Sequence, residues 1–112
     1  MSSLDNMAVI YGKVYPFLTS IGLNQNREKF TLPAAGNRGF SVDVGSSYGE
    51  VMIRIIDNGS LSDRLSITKF EQVDATLDVV ALAVQRKKAV LQEAAKNLYI
   101  PGNEISDRRT PR

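Results

Sequence analysis

At the start of the chain Leu4, Met7, Tyr11, Val14, Leu18 and Ile21 recur at alternating spacings of three and four, the period of a helix with one apolar face. Ser3 stands where a capping hydroxyl belongs. Pro16 falls inside the pattern, where its ring meets the carbonyl of Gly12, so a kink or two short helices are expected. Gly22 supplies a left-handed stop, with Leu23 placed to pack back on the last turn. The polar run Asn24-Gln25-Asn26 reads as a linker.

Four strands follow, read from alternation. Phe30 and Leu32 share a face in the first, and Pro33 ends it, which suits an edge position. After the Gly36-Asn37-Arg38-Gly39 turn, Phe40, Val42 and Val44 alternate with Ser41 and Asp43. Residues 50–57 place Val51, Ile53 and Ile55 on one face and Met52, Arg54 and Ile56 on the other; apolar residues on both faces mark an interior strand. Asp57-Asn58-Gly59-Ser60 is the strongest turn signal, because Asn and Gly accept positive φ. The return strand is expected at 64–70, with Leu65 and Ile67 inward and Arg64, Ser66 and Thr68 outward.

The last element spans about residues 71–97. Glu71, Asp74 and Asp78 lie near its start and Arg86, Lys87, Lys88 and Lys96 later, a polarity that suits the helix dipole. Val73, Leu77, Val80, Val84, Leu91 and Leu98 form one stripe, yet Val79-Val80-Ala81-Leu82-Ala83-Val84 is apolar around the whole circumference. A helix of about 25 residues is roughly 40 Å long, more than a small sheet covers. The expectation is a homodimer through Val73, Leu77, Val80, Val84 and Leu91, unless the N-terminal helix shields the second side within one chain. Pro101-Gly102 ends regular structure. The pattern is thus an α+β domain over 1–100, built as a kinked N-terminal helix, a four-stranded antiparallel sheet and a long C-terminal helix, with both helices on one sheet face. Residues 101–112 are a polar tail, expected to be flexible unless a partner orders it.

The chain has 112 residues, 43% hydrophobic and 23% charged, the balance of one folded domain. It has neither Cys nor His. Disulfides, thiolate chemistry and imidazole bases or ligands are therefore excluded. No uncharged interval approaches the roughly 20 apolar residues of a membrane span, and no secretory signal is evident, so cytoplasmic residence is expected. Fourteen basic residues against twelve acidic give a net charge of +2. The pI near 9.0 overstates this, because without His little titrates between about pH 5 and 9.

Catalysis would fall to Asp, Glu, Lys, Tyr or Ser, and no such pair has a recognisable spacing. Asp74 and Asp78 on adjacent turns read as solvated dipole charges rather than a cation site. Gly36, Gly39, Gly45 and Gly49 lack the pattern of a phosphate loop, and Ser46, Ser47 and Tyr48 have no His to activate them. The expectation is a non-enzymatic protein without metal or cofactor.

Within 24–69, Arg27, Lys29, Arg38, Arg54, Arg64 and Lys69 are set against Glu28, Asp43, Glu50, Asp57 and Asp63, which leaves the segment nearly neutral. Parity nevertheless puts Lys29, Arg54 and Arg64 on the face away from the apolar residues, a surface able to track phosphates. Single-strand binders usually add aromatic platforms. Phe30 and Phe40 point inward, which leaves Tyr48. On the residues alone, a solvated sheet face with scattered salt bridges is the favoured account of the same positions. Arg86-Lys87-Lys88 is a second basic patch, but three adjacent helical cations spread over about 200°. Arg108, Arg109 and Arg112 make the tail weakly basic.

Gly49-Glu50-Val51-Met52-Ile53-Arg54-Ile55, followed by Arg64-Leu65-Ser66-Ile67-Thr68-Lys69-Phe70-Glu71-Gln72-Val73, resembles the transcriptional positive-cofactor-four coactivators. Those proteins, like the Pur and Whirly domains, place a four-stranded antiparallel sheet before a dimerising helix and bind single-stranded nucleic acid on the sheet. Glu50 stands where that family has a basic residue, Val73 where it has an aromatic, and the N-terminal helix is additional. The resemblance implies single-stranded nucleic-acid binding on the sheet of a dimer; taken with the outward parity of Lys29, Arg54 and Arg64, the expectation is sequence-tolerant binding of single-stranded DNA or RNA by a homodimer, through Lys29, Arg38, Tyr48, Arg54, Arg64 and Lys69. The competing class is a small protein-interaction module, such as a phage or bacterial inhibitor or an assembly subunit.

Overall fold

In the computed structural model, residues 3–35 and 39–98 are described. The elements are α1 (Ser3–Ser20), β1 (Asn24–Asn26), β2 (Lys29–Thr31), a 3-10 turn (Pro33–Ala35), β3 (Phe40–Ser47), β4 (Glu50–Asp57), β5 (Ser60–Ile67), a second 3-10 turn (Phe70–Gln72) and α2 (Val73–Leu98). The strands form one antiparallel sheet in the order β1-β2-β3-β4-β5.

The architecture is α+β with five strands, not four. The additional strand is the run expected to be a linker. Asn24, Gln25 and Asn26 pair with Thr31, Phe30 and Lys29, and all three are exposed. Backbone hydrogen bonds alone hold such a strand, so no hydrophobic alternation announces it. Its turn places Arg27 at φ 60°. With β1 outside it, β2 is not an edge.

Helix α1 runs through Pro16 as one continuous element, so the two-helix alternative does not hold. Its end has the expected form: Gly22 lies at φ 99°, its N–H donates to the Thr19 carbonyl and the Leu23 N–H to the Leu18 carbonyl, at 3.1 and 3.3 Å. This is a Schellman ending, with Leu23 buried behind it. The side chain of Ser3 lies outside the described ones, as do residues 36–38 and the tail 101–112.

Tyr48-Gly49 and Asn58-Gly59 close the β3–β4 and β4–β5 hairpins with positive φ at both positions, the turn that matches strand twist. Because the second turn needs only two residues, β5 begins at Ser60, earlier than expected, and ends at Ile67. Near its start it carries a bulge. Ile55 pairs with Asp63 and Ile56 with Leu61, which leaves Ser62 unmatched.

One face of the sheet is covered by both helices. Phe30, Val42, Val44, Val51, Ile53, Ile55 and Ile67 meet Ile10, Val14 and Leu18 of α1 and Val73, Leu77, Val80 and Val84 of α2, all buried. Each large aliphatic side chain in such a layer contributes about 1.5–3 kcal/mol relative to exposure. Tyr15 packs edge-on against Phe30, with ring centroids 5.2 Å apart. Burial, chiefly, holds the Tyr15 hydroxyl above its ordinary pKa, and Tyr11 and Glu28 add to the effect.

Polar contacts tie the helices to each other and α2 to the sheet. Lys88 Nζ donates to the Ile21 carbonyl at the end of α1, 2.9 Å away. Lys87 pairs with Asp57 at 2.8 Å, its side chain 11% exposed, and Lys13 pairs with Asp74 at 2.8 Å in the open. The Arg86-Lys87-Lys88 triplet is therefore not a free basic patch, since two of its three cations are engaged within the chain. No described helix is long and apolar enough to cross a membrane.

Candidate nucleic-acid interface

The face of the sheet opposite the helices carries the sequence-predicted cations. Lys29 on β2 pairs with Asp43 on β3, Asp43 with Arg54 on β4, and Arg54 with Arg64 on β5. Four strands thus present one transverse row of three cations and one carboxylate, at a strand spacing of about 4.8 Å. Lys29, Arg54 and Arg64 are exposed and Asp43 is half-buried.

None of the three cations makes a hydrogen bond or ion pair with a described residue. Both ion pairs among the described residues, Lys13–Asp74 and Lys87–Asp57, lie on the helical side. Asp43 Oδ1 is buried without a hydrogen-bond partner among them. The row carries a net positive charge, and its donors make no bond to a described side chain.

Arg54 divides two shallow grooves. One, of about 340 Å³, is bounded by Gly45, Ser46, Ser47, Met52, Arg54, Leu61 and Arg64. The other, of about 290 Å³, lies toward the β1–β2 turn beside Arg27, Lys29 and Asp43. Both reach Gly45. A Cβ built there would meet nothing within 4 Å, so the missing side chain leaves the middle of the face open.

Tyr48 and Lys69 are not beside this row. Tyr48 lies five residues beyond Asp43, about 17 Å along the strand, and Lys69 stands in the connection after β5 at the same end of the sheet. Between them and the row, Glu50 accepts a 2.5 Å hydrogen bond from the Ser66 hydroxyl. Tyr48 is fully exposed and holds φ 51°. Left-handed backbone costs a non-glycine residue about 1–2 kcal/mol, and Gly or Asn would be the easy choice there. Arg38 lies outside the described residues.

The residues expected to form a dimer interface are placed differently. Val73, Leu77, Val80 and Val84 are 0–2% exposed within the single chain, because α1 and the sheet cover that stripe between them; Leu91 is half-buried. What α2 leaves uncovered is Val79, Leu82 and Val90, together with a wide apolar groove of about 640 Å³ where Leu91, Ala94 and Ala95 face Leu32, Pro33 and Ala34.

Sequence reasoning missed Gly45, Met52 and Leu61 as groove residues. Gly45 and Met52 are visible from alternation once they are paired across the hairpin, whereas Leu61 reaches this face through the bulge, which has no sequence signature. Among the described residues no cluster of acidic side chains could hold a metal. Comparison with known proteins finds no matching family model, no matching curated protein and no matching solved structure.

Proposed function

We propose that this chain is a cytoplasmic, non-enzymatic protein that binds single-stranded DNA or RNA with little regard to sequence and acts as a homodimer. The observation that carries the reading is the row Lys29–Asp43–Arg54–Arg64, whose cations lie in one line on an exposed sheet face without partners among the described residues. Phosphate contacts position a strand without reading its bases, which gives sequence tolerance. Tyr48 and Lys69, at the end of the same sheet, extend the surface along the strand direction. Val79, Leu82 and Val90 give the apolar face on which a second copy of α2 packs.

Fluorescence anisotropy with a labelled oligothymidylate tests the reading. Three phosphate contacts give a slope of about −2 for log affinity against log salt. Absence of binding at low salt, or affinity indifferent to salt, overturns it.

The apolar groove between α2 and Pro33-Ala34 favours a second reading, a small protein-interaction module. A stable heteromeric complex lost on Ala95→Asp, from a protein that ignores oligonucleotides, selects that alternative.

A further inference from the structure

The face of α2 turned away from the sheet carries a pattern that complements its own reverse. Leu82 stands at the middle, 46% exposed. Asp78 and Arg86 lie about one turn to either side of it, and Ala75 and Ala89 about two turns to either side, all exposed. At 3.6 residues per turn the four directions fall within about 40° of that of Leu82, opposite the buried Val73, Val80 and Val84. Asp78 and Arg86 enter neither of the ion pairs among the described residues.

We propose that this face receives a second copy of the chain, its α2 antiparallel to the first about a two-fold axis at Leu82. In a two-fold contact, positions equally far from the axis stand at one level. Leu82 therefore meets the partner's Leu82, Asp78 faces the partner's Arg86, and Arg86 faces the partner's Asp78. Ala75 meets the partner's Ala89, with no long side chain to hold the helices apart. Val79, 46% exposed beside Leu82, lies level with the partner's Gln85. A parallel pair in register would set Asp78 against Asp78 and Arg86 against Arg86, and a slip of one turn would set leucine against a charge, so charge complementarity selects the antiparallel register. The proposal rests on the homodimer reading and adds the direction of the contact and the residues that fix it. Because both helices cover the sheet face opposite the cationic row, the pairing leaves the rows of both protomers open.

A contact of about four helical turns is small for a specific interface, so the test is sedimentation equilibrium at low salt over about 1 to 200 micromolar. The wild type dimerises reversibly. Asp78→Arg and Arg86→Asp, both at exposed positions, keep the circular dichroism of the wild type, and each weakens self-association about tenfold by setting like charges against each other. An equimolar mixture of the two variants recovers the dimer, because each supplies the charge that the other lacks. If Arg86→Asp fails to fold, Leu82→Lys and Leu82→Glu decide in the same way: position 82 meets itself, so each is monomeric alone and the mixture pairs. A wild type that stays monomeric throughout refutes the homodimer and this contact with it. A wild-type dimer that survives both charge reversals, or that is lost in both and not recovered on mixing, refutes the antiparallel register alone and leaves the homodimer standing.

Discussion

Replacing Arg64 by Thr should stabilise the fold while weakening nucleic-acid binding, two effects of opposite sign from one substitution. Cross-strand partners have Cβ atoms about 5 Å apart. Two guanidinium heads about 7 Å apart in a water-like dielectric repel by about 0.6 kcal/mol, and a β-branched residue suits the strand at least as well as Arg. Arg64 has no ion pair with a described residue to lose, so Arg64→Thr gains about 0.5 kcal/mol at low salt, a rise of about 0.3 M in urea midpoint. In about 1 M salt the screening length falls to roughly 3 Å and most of the electrostatic gain disappears. Binding moves the other way: removing one of three phosphate contacts weakens affinity about five- to tenfold and reduces the salt slope by about 0.7. Urea unfolding at two salt concentrations, together with oligothymidylate anisotropy, reads both. A variant that is less stable than wild type at low salt, or that binds as tightly, refutes the argument that the arginine pair is kept for a polyanion.

Three further substitutions probe other parts of the account. Gly22→Ala should cost about 1 kcal/mol in urea unfolding, since φ is 99° and the new Cβ would sit 3.0 Å from Lys88 Nζ; an unchanged midpoint contradicts the Schellman ending. Tyr15 ionises above its ordinary value of 10.0, so its contribution is complete below about pH 10 and is lost as pH rises through the folded pKa. Tyr15→Phe should accordingly unfold with a flatter alkaline limb than wild type, and an identical pH profile would count against that burial. Val80→Asp places an unpaired charge in the core and should abolish folding, whereas Val79→Asp should remain folded and halve the mass seen by light scattering; a Val79→Asp mass equal to that of wild type rejects dimerisation through the exposed face of α2.

Much of the core was legible because a half-buried strand writes its burial into alternate positions. Phe40, Val42, Val44, Val51, Ile53 and Ile55 are inward by parity and are buried, and Gly22 marks the end of α1 through backbone conformation alone. β1 was not legible, because Asn24, Gln25 and Asn26 bury no side chain and owe their strand to hydrogen bonding with β2. The α2 stripe was read correctly as apolar but assigned to the wrong neighbour. Periodicity says which residues need cover and is silent on whether α1 or a second chain supplies it. At the candidate site, parity alone put Lys29, Arg54 and Arg64 on one face, correct for Arg64 because it lies beyond the bulge. The row itself, with Asp43 inside it and Arg54 against Arg64, is a matter of register between strands, which residues in one strand do not specify. Leu61 was unreadable for the same reason, since one unmatched serine reverses its face.

The most direct measurement is a backbone amide NMR titration of the labelled protein with an oligothymidylate at low salt. The account predicts shifts concentrated at Lys29, Asp43, Gly45, Arg54, Leu61 and Arg64, with α1 and the buried stripe of α2 unmoved. Shifts gathered instead around Leu32, Leu91 and Ala95, or an unchanged spectrum, would contradict it.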